Sequence, residues 1–398
     1  MRSVFLTGLV LTLFLRLPLS VEGREEPDRI EAKAEALAAL LEPIREQHGL
    51  PALAGAIVTP EGPVAVGAVG LRRSGNGPPV TINDRFHLGS CTKAMTATLL
   101  ATFVEEGVIS WQTTLAEALP EFARVMHPDY RSATIEQVLA HRAGFSGETA
   151  APGLSLGAMR ASRASLTRQR TDYLRRVLAE APSSRPGTTY EYSNRGYIVA
   201  GAIAERLGRA PWEVLMRRRL FEPLGMSSSG FGPMASPGQV DQPWPHVVQN
   251  GRTVPIAPGP GADNPLLLGP AGTVHASLGD WARFVACHLR AGEEGPALLT
   301  PQTFATLHAK PAEGNYAFGW GFHERSWGDG TVLNHAGSNT MNYAVVWMAP
   351  NRRFAVLAAT NQAGDAGPKA CDEVSSALIE LYRSTNSPDN PRRPRDGE

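Results

Sequence analysis

The chain is short of cysteine, of lysine and of net charge. Its three cysteines, Cys91, Cys287 and Cys371, lie far apart in 398 residues. An odd number at wide spacing excludes a disulfide scaffold and a Cys-rich zinc site. Lys+Arg 38 balances Asp+Glu 38, for a formal net charge of +0. That balance gives no electrostatic footprint for nucleic acid or an acidic membrane surface. Beyond the N-terminal segment no apolar run approaches the roughly 20 residues of a membrane span. No pair among the ten histidines has zinc-enzyme spacing, so neither a metal nor another cofactor is expected. Only Lys33, Lys93, Lys310 and Lys369 are lysines, and the other 34 basic residues are arginine.

What is present fits a large folded unit. A hydrophobic share of 42% supplies a sizeable core. Gly 40 and Pro 32 imply many loops and argue against a coiled coil or simple bundle. Residues 1–23 combine Arg2, an apolar run from Val4 to Leu15, and small residues Val21 and Gly23 before a cut. They read as a signal peptide, interrupted by Arg16 well short of a span. The mature chain is therefore expected to be exported, periplasmic or extracellular, with no stable membrane span. Residues 384–398 are Pro- and charge-rich and read as a disordered tail.

Between these ends, Asp28–Gln47 has helical spacing, and 53–59 and 63–73 form a hairpin signal around Pro60-Glu61-Gly62. Ser90–Glu106 is apolar almost all round, as a buried helix would be. Further helices are expected at Thr134–His141, Thr171–Ala181, Gly196–Leu207 and Trp212–Phe221. Strands are expected at Tyr316–Glu324, Gly330–His335, Asn342–Met348 and Arg353–Thr360, followed by a helix over Cys371–Tyr382. Residues 227–270 are Gly-, Pro- and Ser-rich and read as ordered loops. Strands at both ends imply one sheet built from 24–90 together with 270–383, and a helical insert over 91–269.

Three short motifs carry chemistry. In Ser90-Cys91-Thr92-Lys93 the serine and lysine stand at i and i+3, on one face of a helix. A serine hydroxyl needs a base to become a nucleophile. A buried lysine can serve if its pKa falls from about 10.4 towards neutrality, whereas arginine cannot. Lys93 lies in an otherwise apolar stretch and must be buried and paired, or functional. The second motif is Tyr192-Ser193-Asn194, in a loop entering a helix. Tyr192 and Asn194 point to one side of an extended segment. A phenol near a cation can act as acid or base, while Ser193 or Asn194 also fits a plain helix cap. The third is His335-Ala336-Gly337-Ser338 at a strand end. Gly337 permits close backbone approach, and the Ser338 and Ser90 N–H groups would make an oxyanion hole. His87-Leu88-Gly89 matches the same short pattern without such a setting. Cys91, one position along the helix and without an activating histidine, reads as a buried thiol rather than a rival nucleophile.

Taken in order, Ser-x-x-Lys, Tyr-x-Asn and His-x-Gly make the chain resemble the serine β-lactamase and penicillin-binding-protein superfamily. The resemblance is to its class C-like branch, which includes D-alanyl-D-alanine carboxypeptidases, D-aminopeptidases and family VIII-type esterases. It covers residues 30–383 and extends to TIEQVLAHRAGF, FEPLGM, GPAGTVHASLGDWARF and YAFGWGF. It implies an α+β, β-lactamase/transpeptidase-like fold: an antiparallel sheet flanked by helices, with an inserted all-helical region and the active site between them. It also implies an acyl-enzyme on Ser90, with Lys93 and Tyr192 sharing the base role. Asn194, His335, Gly337 and Ser338 would line the substrate.

One departure bears on substrate. Class C β-lactamases have Lys-Thr-Gly where this chain has His335-Ala336-Gly337. Losing a charge-assisted hydrogen bond to a carboxylate costs about 1.5–3 kcal/mol. The expectation is an exported serine hydrolase acting on a small-molecule or peptide-like ester or amide, with weak or no antibiotic hydrolysis. A β-lactamase or penicillin-binding carboxypeptidase, and a non-catalytic scaffold on the same fold, are the alternatives.

Overall fold

The computed structural model describes residues 27–291, 293 and 298–386. The expected signal peptide, and the expected tail from 387 onward, lie outside the described residues. Among the described residues, twelve strands run β1 Ala52–Thr59, β2 Gly62–Gly70, β3 Arg85–His87, β4 Gly230–Phe231, β5 His246–Gln249, β6 Arg252–Pro255, β7 Val274–Ser277, β8 Tyr316–Ala317, β9 Trp320–Arg325, β10 Gly330–Ser338, β11 Tyr343–Ala349 and β12 Phe354–Thr360.

Seven of them form one sheet in the order β2-β1-β12-β11-β10-β9-β8, every pair antiparallel. Strands from both ends of the chain thus share one sheet, with Leu53 opposite Thr360 and Val58 opposite Ala355. Along β1 the side chains alternate between two cores. Leu53 and Ile57 join Leu37, Leu41, Val374 and Leu378, from the helices Pro27–Gln47 and Ala366–Thr385. Ala54, Ala56 and Val58 face the other core, with Trp281 and Val285 of the helix Leu278–Leu289. Burial on both faces explains why β1 reads as a nearly unbroken apolar run rather than an alternating one.

Several boundaries differ from expectation. Tyr316–Glu324 is not one strand. Phe318 and Gly319 both take positive φ, 53° and 84°, and fold the segment into the hairpin of β8 and β9. The helix expected over Thr171–Ala181 spans Leu166–Val177, because Ser165 caps it by accepting the Arg168 N–H. The last helix continues to Thr385, into the expected tail. The inserted region is not all-helical: β4, β5 and β6 fall within it, in the Gly- and Pro-rich stretch that cannot sustain a helix. Its helices are tied together by Arg170, whose guanidinium is buried between Glu205 and Glu213. Pairing on both sides offsets the cost of burying that cation.

Candidate active site

The helix Thr92–Glu105 runs through the interior with twelve buried residues, and a 3-10 turn, Gly89–Cys91, precedes it. Ser90 therefore sits on the turn rather than inside the helix. Thr96 anchors the helix through the Pro270 carbonyl, and Thr92 accepts the Val274 N–H. These bonds fix the one cationic side chain that the helix carries.

Lys93 is fully buried. Its Nζ makes three hydrogen bonds: 3.0 Å to Ser90 Oγ, 2.9 Å to Asn194 Oδ1 and 2.8 Å to the Ala271 carbonyl. Burial pushes its pKa down to about 7. The Asn194 amide oxygen and the peptide carbonyl oxygen can only accept, so a neutral amine spends its two N–H groups on them. Its lone pair is then left for the Ser90 O–H. Asn194 is held in that orientation by its Nδ2, which donates to Thr149 Oγ1 at 3.0 Å. Lys93 Nζ also lies 4.7 Å from the centre of the Tyr192 ring.

Tyr192 is 38% exposed overall, yet its phenol end is deep enough that burial raises its pKa well above the usual tyrosine range, against a lowering contribution from Ser90. It stays protonated at neutral pH. Tyr190 and Tyr316 complete an aromatic wall with it, the Tyr192 and Tyr316 ring centres being 6.2 Å apart.

On the opposite side the end of β10 meets the Ser90 turn with no space between backbones. A Cβ on Gly337 would lie 2.0 Å from the Leu88 carbonyl oxygen and 2.6 Å from the Ser90 nitrogen. A Cβ on Gly89, which has φ +50°, would lie 2.3 Å from the Ser338 nitrogen. Only glycine satisfies both positions. The two backbone N–H groups expected to serve an oxyanion, those of Ser90 and Ser338, are thus brought side by side.

His335 is buried, and burial with Lys93 nearby pushes its pKa down to about 3. Its Nδ1 lies 2.7 Å from the Ala336 carbonyl and its Nε2 lies 2.9 Å from the Tyr316 hydroxyl. Nδ1 donates to the carbonyl, so Nε2 accepts from Tyr316. The imidazole is neutral and serves to hold Tyr316.

His87 differs from expectation, since it does have a setting. Its Nδ1 accepts the Gly89 N–H at 3.1 Å, and its Nε2 lies 2.9 Å from Asp263 Oδ1. Asp263 Oδ1 also accepts from Asn339 Nδ2 at 2.9 Å. The buried His87–Asp263–Asn339 chain therefore links the Ser90 turn to the residue after Ser338. Cys91 points away from this site, its thiol donating to the His335 carbonyl at 3.4 Å, and burial disfavours its thiolate. Sequence spacing did not identify Thr149, Tyr316 or Asp263 as parts of the site.

The β-lactamase family profile matches residues 37–378. The chain belongs to the β-lactamase family. It is 30% identical over 296 residues to penicillin-binding protein 4 of Amycolatopsis lactamdurans, covering 73% of either chain. It is 28% identical over 174 residues to lovastatin esterase of Penicillium rubens, covering 40% of this chain and 43% of the esterase. The fold is similar to that of the octameric penicillin-binding protein homologue from Pyrococcus abyssi. That match has a TM-score of 0.70 and 20% identity, over 87% of this chain and 77% of the other. As a β-lactamase-family protein the chain is an enzyme of the serine hydrolase superfamily, with penicillin-binding and esterase relatives.

Proposed function

We propose that this β-lactamase-family enzyme hydrolyses an uncharged ester or amide through an acyl-enzyme on Ser90. The observation that carries the reading is the hydrogen-bond set of Lys93, which leaves a neutral amine one lone pair and places the Ser90 hydroxyl on it. Ser90 Oγ attacks the carbonyl carbon as its proton passes to Lys93 Nζ. The Ser90 and Ser338 N–H groups hold the oxygen that becomes negative. Tyr192, protonated at neutral pH, gives its proton to the leaving group and recovers one from Lys93. Water then attacks the acyl carbon and releases Ser90.

The substrate class is read from the cleft that Tyr192 and His335 share, of about 480 Å³ and lined also by Tyr190, Tyr316, Asn334 and His323. It carries no lysine or arginine, and both histidines are held below their ordinary pKa by burial. A substrate carboxylate finds no cation there, and Ala336 offers no hydroxyl. The walls suit an apolar or aromatic acyl group.

A second reading, a carboxypeptidase acting on D-amino-acid peptides, is favoured by the likeness to penicillin-binding protein 4. The deciding experiment is a substrate panel with Ser90→Ala as control: p-nitrophenyl esters, a D-alanyl-D-alanine peptide, a D-amino-acid amide and a chromogenic cephalosporin. Ester turnover lost in the variant supports the first reading. Exclusive turnover of the D-peptide, or fast cephalosporin hydrolysis, overturns it.

A further inference from the structure

His141 stands where its backbone conformation favours glycine. The short helix Ile135–Leu139 ends with the Arg142 N–H bonded to the Gln137 carbonyl and the His141 N–H bonded to the Val138 carbonyl. That is the Schellman pattern, whose residue after the cap takes the left-handed conformation and is usually glycine. Here it is histidine, with φ 58°. A β-carbon in that conformation is strained, so the side chain must return something.

What it returns surrounds Tyr192. The His141 carbonyl accepts the Glu191 N–H at 2.9 Å, and its Nδ1 accepts the Ser193 N–H at 3.1 Å. The residues on either side of Tyr192 are therefore both held, through their N–H groups, by one residue. The imidazole also lies against the Tyr192 ring, centres 4.4 Å apart, and against those of Tyr316 and Tyr197 at 4.6 and 5.2 Å. Because Nδ1 accepts, Nε2 carries the ring proton. That atom is buried without a hydrogen-bond partner among these aromatic rings. A helix end alone would need none of this.

We propose that His141 is the positioning residue for Tyr192, fixing the phenol against Ser90 and Lys93 through the N–H groups of Glu191 and Ser193 and from its ring face. The proposal rests on the reading of Tyr192 as proton donor in an acyl-enzyme reaction. His141 itself transfers no proton.

Glycine fits the backbone at 141 better than histidine does, so His141→Gly removes the imidazole while relieving strain. The test measures the rate of Ser90 labelling by a fluorophosphonate probe and, with a p-nitrophenyl ester, kcat and KM separately. Four proteins are compared: wild type, His141→Gly, Tyr192→Phe and the double variant, with melting temperature as the folding control. The expected result for His141→Gly is a kcat loss of about tenfold or more, with KM within about threefold and no comparable loss of melting temperature. In the Tyr192→Phe background the same substitution should add little. His141→Asn, which tolerates the conformation and keeps an acceptor for Ser193, should recover part of the loss.

Wild-type rates in His141→Gly, or an equal fold-loss in both backgrounds, overturn the proposal. If the glycine variant does not fold, His141→Asn carries the test, and an unimpaired rate there overturns it, since asparagine has no ring to lay on Tyr192. Full activity in Tyr192→Phe overturns instead the reading of Tyr192. Failure of the wild type to label overturns that of Ser90.

Discussion

Lys93 Nζ and Ser90 Oγ lie 3.0 Å apart, and the other two partners of that nitrogen are atoms that can only accept. The geometry therefore ties nucleophile activation to the protonation of one buried amine.

The pH profile should report that amine. With the Lys93 pKa lowered by burial to about 7, log kcat/KM should rise as pH increases to about 7 and level off above it. Lys93→Arg should lose about 10²-fold or more in activity at every pH, because arginine keeps its proton. The same shift makes folding stability rise with pH between about 7 and 10.5, since there the unfolded chain holds a proton that the folded chain lacks. A flat kcat/KM from pH 5 to 9 would contradict the assignment.

Asn194→Asp tests the second bond of Lys93. A carboxylate about where Oδ1 now lies, 2.9 Å from Nζ, would favour the charged lysine. The acidic limb of the profile should move up by about 1–3 pH units. An unmoved limb would separate Asn194 from the amine.

Gly337→Ala tests the contact of β10 with the Ser90 turn. The new methyl would fall 2.0 Å from the Leu88 carbonyl and 2.6 Å from the Ser90 nitrogen. One of them must move, and the oxyanion donors move with it. Activity should fall about 10²–10³-fold. Wild-type turnover would show that the two N–H groups are not used.

Cys91→Ala should keep activity within about threefold, and thiol reagents should leave the folded enzyme uninhibited, because the thiol is buried and its anion disfavoured. Loss of labelling in this variant, but not in Ser90→Ala, would exchange the two roles.

Asp263→Ala should destabilise the fold by about 2–5 kcal/mol in urea unfolding. It removes the acceptor of the Asn339 amide and the carboxylate 2.9 Å from the buried His87 Nε2. A change below about 0.5 kcal/mol would mean that water replaces the carboxylate.

The legible part of the site was the local part. Ser90 and Lys93 meet because i and i+3 face each other on any helix, and Lys93 stood out because a chain rich in arginine kept a lysine in an apolar stretch. Tyr192 and Asn194 were legible as a pair on one side of a loop. Thr149, Tyr316 and Asp263 were not, since each reaches the site through long-range folding and carries no local pattern. His335 lies on β10, and the burial that keeps it neutral depends on Tyr316 and the strands around it. In the fold, β1 and β12 were readable from their apolar runs. The β8–β9 turn was hidden because Phe318 takes a left-handed conformation that its residue type does not announce.

The order of strands carries a cost in time. β1 emerges well before its neighbour β12, and the Thr360 hydroxyl bonds the Ala52 carbonyl across 308 positions. Until then the apolar β1–β2 hairpin has an open edge. The sheet cannot close before β12 has emerged. Contacts this distant also fold slowly. A chain that ends before residue 354 would keep Ser90, Lys93, Tyr192 and the end of β10, and would lack the strand that joins β1 and β2 to the rest of the sheet.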